Sequence, residues 1–131
     1  MDKELIHRGD KQDLKELKDH ILQSNLDSVV KVDFLNYLVS EKEEGLAQLQ
    51  RLVFDFLKAE EAIDAASKNG NIHDWVNAVL AELKPSISDF TKRQIDLTMA
   101  LIIQEKSIRD PSYKNIFDSY TEAYRNGGGV F

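Results

Sequence analysis

The sequence predicts an all-α protein, a compact bundle of five to six helices in a single domain. Leu, Ile, Val and aromatic residues recur at steps of three and four from Leu14 almost to Tyr124, a spacing that gathers side chains on one helix face. Gly and Pro stay out of the middle of nearly every such run, and the breaks carry cap residues. With 131 residues the chain is long enough to bury roughly two-thirds of its unfolded surface without metal or disulfide support.

The elements follow in order. After a charged lead-in ending at Gly9, Asp10 is a plausible N-cap, and Leu14, Leu17, Ile21 and Leu22 make a narrow stripe that ends at Asn25 or Leu26. Val30, Val32 and Phe34 alternate with Lys31 and Asp33, which reads as a strand, yet Val30, Phe34, Tyr37 and Leu38 also fit a helix. The helix is preferred because a lone strand among helices has no partner. Ser40 with Glu43 forms a capping-box pattern, so a third helix is expected there. It carries Leu46, Leu49, Val53, Phe56, Leu57 and Ile63 to about Asn69, closed by Gly70, and is expected to be central. Gly45, inside its first turns, costs about 1 kcal/mol and marks a kink or a close approach.

Asn71 starts a fourth helix bearing Ile72, Trp75, Val76, Val79, Leu80 and Leu83, with Pro85 as its stop. Ser86 with Asp89 suggests the cap of a fifth, which carries Phe90, Ile95, Met99, Ile102 and Ile108, widened by Leu97 and Leu101. Asp110 before Pro111 opens a sixth, running through Tyr113, Ile116, Phe117, Tyr120 and Tyr124 to Asn126. Residues 1–126 form the expected domain, and 127–131 a flexible Gly-rich tail.

Composition excludes several chemistries. There is no cysteine, hence no disulfide, thiolate zinc site, iron–sulfur cluster or thiol nucleophile. The charged start lacks a signal-peptide core, no stretch has the length of a membrane span, and a cytoplasmic protein is expected. The net charge is −6. Residues 1–70 hold 10 Lys/Arg against 15 Asp/Glu (−5), and 71–131 hold 7 against 8 (−1). That balance opposes nonspecific nucleic-acid binding and favours a basic protein partner. Phosphate-binding glycine motifs and a G-x-S-x-G nucleophile are absent, and no cofactor is implied.

His7, His20 and His73 fall in no metal-binding helical array, so no metal site is expected. Glu60, Glu61 and Asp64 cluster near a helix end; they suit a solvated face better than a cation or acid–base role. Lys92, Arg93 and Gln94 open the fifth helix where a helix-turn-helix over 74–105 would place its base-reading side chains, which makes DNA binding the alternative function. The favoured one is a small, acidic, non-catalytic protein-binding module of adaptor, inhibitor or immunity type, with a homodimer as one form of partnership. Its expected contact stripe is Tyr113, Phe117, Tyr120 and Tyr124, four aromatics at steps of four, three and four. Tyrosine joins a large apolar ring to a polar tip, which suits a surface buried only part of the time.

Overall fold

The computed structural model describes residues 11–127 together with Phe131. Six helices follow one another there: α1 Lys11–Gln23, α2 Ser28–Ala66, α3 Ile72–Glu82, α4 Lys84–Ile87, α5 Lys92–Arg109 and α6 Ser112–Arg125. The expected cap Asp10, the lead-in with His7, and Gly128, Gly129 and Val130 lie outside the described residues. Segment 29–39 is helix: Val30, Phe34, Tyr37 and Leu38 turn inward, while Val29, Val32 and Val39 face out.

Cap chemistry sets most boundaries. The Asp27 carboxylate accepts the Val29 N–H at 3.0 Å and the Arg125 guanidinium at 2.5 Å, so the start of α2 is tied to the end of α6. The Arg125 hydrogen bond holds the Asp27 carboxyl below its usual range. Asn71 caps α3 by accepting the His73 N–H at 2.8 Å. Gly70 has the expected left-handed backbone (φ 68°), although α2 already ends at Ala66. The cap expected at Ser86 and Asp89 lies elsewhere. Pro85 lacks an N–H and sits in the single turn α4, where none is needed. The capping box forms at Thr91 and Gln94, each side chain accepting the other's N–H, at 3.1 and 2.9 Å.

Ser40 does not open a new helix. Its hydroxyl donates to the Tyr37 carbonyl at 3.1 Å, and α2 runs on through it to Ala66, 39 residues in all. The chain nevertheless turns here. The Tyr37 hydroxyl donates at 3.3 Å to the Gly45 carbonyl, eight residues on; a straight helix would rise about 12 Å over that span, further than a tyrosine reaches. Phe34 and Leu49, about 22 Å apart along a straight helix, line one small internal void with Leu17, Val53, Thr98 and Leu101. So α2 bends sharply at Gly45 into two arms. Gly45 is buried, and a Cβ there would overlap the Glu41 Cβ and lie 3.2 Å from the Tyr37 ring.

The bend lets both arms pack on α5, which replaces the expected central element. Every residue of α5 from Ile95 to Gln104 is buried, including Asp96, Thr98 and Gln104. Its neighbours are α1, the arms of α2, and α6. The second arm of α2 runs in the direction of α5, from Arg51 with Asp89 (2.8 Å) to Glu60 with Lys106 (2.7 Å). α6 returns antiparallel, with Tyr113 beside Lys106 and Tyr120 beside Asp96. His20 of α1 reaches Glu105 of α5 at 2.7 Å. Four residues expected in apolar stripes are exposed instead. Leu22, Leu80 and Ile108 lie in the last turns of their helices, and Leu57 borders a groove between α2 and α5.

Candidate functional site

The aromatic stripe of α6 divides. Tyr113 and Tyr120 are buried, and Phe117 and Tyr124 are half-buried, so the structure places two of the four expected contact residues in the core. The physical reason is that each tyrosine hydroxyl finds an acceptor on another helix. Tyr113 donates to the Asp64 carboxylate on α2. Tyr120 donates to the Asp96 carbonyl on α5 at 2.6 Å. Tyr124 donates to the Asp33 carboxylate on the first arm of α2 at 2.9 Å. These bonds remove the main cost of burying a phenol.

Burial is the largest influence on all four tyrosines of the chain, Tyr37 included, and raises each phenol above its ordinary range. A phenol whose pKa is raised by folding contributes stability that is whole below the unfolded value near pH 10 and is lost as the pH climbs past it. Ultraviolet titration should therefore show almost no tyrosinate at pH 10, with ionisation arriving together with loss of helical circular dichroism. A gradual, half-complete ionisation at pH 10 in the folded protein would show that the hydroxyls are not held as described.

The residues at the start of α5 are also engaged by the fold. Lys92 pairs with Asp96 at 2.5 Å. Arg93 lies over the Tyr37 ring, 5.3 Å from its centroid, and donates to the Asp33 carbonyl at 3.3 Å. Gln94 completes the capping box and donates to the Tyr37 hydroxyl at 3.1 Å. A helix-turn-helix needs its two helices packed as a pair with one free to enter a groove. Here α3 packs on α2 and α6, and α5 is enclosed for most of its length.

The acidic cluster has its cation built in. Lys106 of α5 donates to Glu60 at 2.7 Å and to Asp64 at 3.0 Å, above the Tyr113 ring; Glu61 is exposed. Among the described residues no three His, Asp or Glu side chains converge as a metal ion would require, and no helix is long and apolar enough to cross a membrane.

Two groups that are separate in the sequence meet in space. The end of the tyrosine stripe and the start of α5 border one open cleft of about 400 Å³, lined by Val29, Asp33, Lys92, Arg93, Asp96 and Tyr124. Val29 and Asp33 come from α2, Lys92, Arg93 and Asp96 from α5, and Tyr124 from α6. Asp96 forms the buried side, and desolvation pushes its carboxyl up against the opposing effect of Lys92. Val29, Lys92 and Arg93 are exposed, and Val32 continues the apolar edge along α2. Periodicity singles out Tyr124, and the start of the fifth helix singles out Lys92 and Arg93, but neither gives a reason to join them or assigns a role to Val29, Asp33 or Asp96. No family model matches the chain, and no curated protein or solved structure matches it.

Proposed function

We propose that this protein is a non-catalytic protein-binding module, of adaptor, inhibitor or immunity type, and that its contact face is the cleft where α2, α5 and α6 meet. The observation that carries this reading is the meeting of exposed Val29 and Arg93 with the half-buried ring of Tyr124, with Val32 extending the apolar edge. Tyrosine and arginine are enriched at interface hot spots, and the exposed valines beside them add apolar area that a partner can cover. Asp33, Asp96, Glu60 and Asp64 already accept hydrogen bonds within the chain, which fits a binding role better than acid–base work. The net charge of −6 favours a basic partner by long-range steering. A cysteine-free chain suits the reducing cytoplasm.

Val29→Glu tests the face. The site lies in the first turn of α2, where the helix dipole tolerates an acid, so stability should change by no more than about 0.5 kcal/mol. In affinity capture from cell extract, a protein retained by the wild type should be lost from Val29→Glu. Equal retention by both would remove this face from the account. A second copy of the chain as the retained protein would identify the partnership as a homodimer.

A further inference from the structure

Phe131 is not free of the domain. Its ring lies 5.6 Å from the Trp75 ring at 70° and 6.3 Å from Tyr120 at 52°, and Trp75 and Tyr120 meet at 6.3 Å and 85°. These are the edge-to-face and tilted contacts that aromatic quadrupoles favour. The Phe131 backbone amide faces the Asp96 carboxylate, where with Lys92 it opposes the effect of desolvation, and Lys92 pairs with that carboxylate at 2.5 Å. Trp75 and Tyr120 are buried while Phe131 is only half-buried, so Phe131 is the outermost ring of the three. At the cradle, Trp75 Nε1 is buried with no hydrogen-bond partner among the described residues. A native fold seldom leaves such a donor unmatched.

The cradle thus presents two aromatic rings, a carboxylate that faces a backbone amide, and an indole N–H with no partner among the described residues. That set complements a short extended peptide: an aromatic side chain for the rings, its own N–H for Asp96, and a carbonyl for Trp75. Phe131 fills the first two places and leaves the third empty. We propose that the Trp75–Tyr120–Asp96 cradle is a binding site for an aromatic residue of an extended peptide, occupied in cis by Phe131, which an incoming peptide displaces. The expected free tail therefore gives way, at Phe131, to a plug. This goes beyond the contact face at the cleft: the cradle shares Asp96 with the cleft, but its two rings lie on α3 and α6, and it does not use Val29.

Trp75 is the chain's single tryptophan, so its fluorescence reports on the cradle directly. The probe is an N-acetylated peptide with the sequence of residues 127–131, Gly-Gly-Gly-Val-Phe. Added to Phe131→Ala, it should give a saturable change in Trp75 emission. On the wild type the half-saturating concentration should be at least about tenfold higher, because the tethered Phe131 competes at an effective concentration in the millimolar range. A peptide ending in Ala should give no saturable change, and one N-methylated at Phe, which cannot donate to Asp96, should bind about tenfold more weakly or worse. The excess peptide should also raise the melting temperature of Phe131→Ala, a readout that holds even if that variant is largely unfolded. Neither a saturable signal nor a melting shift on Phe131→Ala, or identical half-saturation on variant and wild type, overturns the proposal.

Discussion

Trp75→Ala should cost about 3–5 kcal/mol, the largest loss expected from any single truncation that leaves the helices intact. The indole is fully buried on α3 and touches Tyr120 of α6 and Phe131. α3 is short and meets only α2, α4 and α6 in strength, so its anchor has few substitutes. Removing the ring leaves a cavity at the junction of these elements, and the surrounding helices relax only in part. Trp75→Phe should cost much less than the alanine change. It keeps an aromatic ring in place and deletes an N–H that has no partner among the described residues. Urea unfolding followed by far-ultraviolet circular dichroism measures both. A Trp75→Ala loss below about 1 kcal/mol would mean that the indole is not the packed anchor described here.

Gly45→Ala should destabilise by about 1–3 kcal/mol, against the sign of helix propensity, which favours alanine over glycine by about 1 kcal/mol. The two effects can be weighed from the geometry. The added Cβ would overlap the Glu41 Cβ, which is fixed to the backbone and cannot swing aside, and it would press on the Tyr37 ring at 3.2 Å. Relief requires opening the bend, which pulls the Tyr37 hydroxyl off the Gly45 carbonyl and separates Phe34 from Leu49. The same substitution at a solvent-facing position of a straight helix would stabilise. A rise in melting temperature for Gly45→Ala would therefore show that α2 runs straight through this point.

The two cases illustrate what was legible in the sequence. Three-to-four periodicity located the helices, because it depends only on which residues share a helix face. It found the turning point near residues 40–45 but read it as a chain break, since Ser40 and Glu43 have the form of a cap. Backbone hydrogen bonding continues through Ser40, and the turn is made by a glycine whose missing Cβ allows close approach. Periodicity also made the second arm of α2 the centre. The spacing shows a broad apolar face on α5, widened by Leu97 and Leu101, but not that Asp96, Thr98 and Gln104 are enclosed as well, because burial of a helix on every side depends on its neighbours.

The site was harder to read for a similar reason. The amphipathic character of Tyr113, Tyr120 and Tyr124 is plain in the sequence, and it fits both the rim of a core and a contact surface. What decides the matter is an acceptor for each hydroxyl, and these lie 49, 24 and 91 residues away along the chain. Tyr124 kept a place on the surface and met Arg93 and Val29 only through the fold. Val29 belongs to no inward stripe because it points outward, and that exposure is what places it on the cleft.

The most direct test of the proposed contact face is amide chemical-shift mapping of the labelled protein with the partner that Val29→Glu fails to retain. The account predicts the largest perturbations at Val29, Val32, Arg93 and Tyr124, with the groove lined by Val53, Leu57 and Arg109 left unchanged. Perturbations centred on that groove, with none around Val29 and Tyr124, would contradict it.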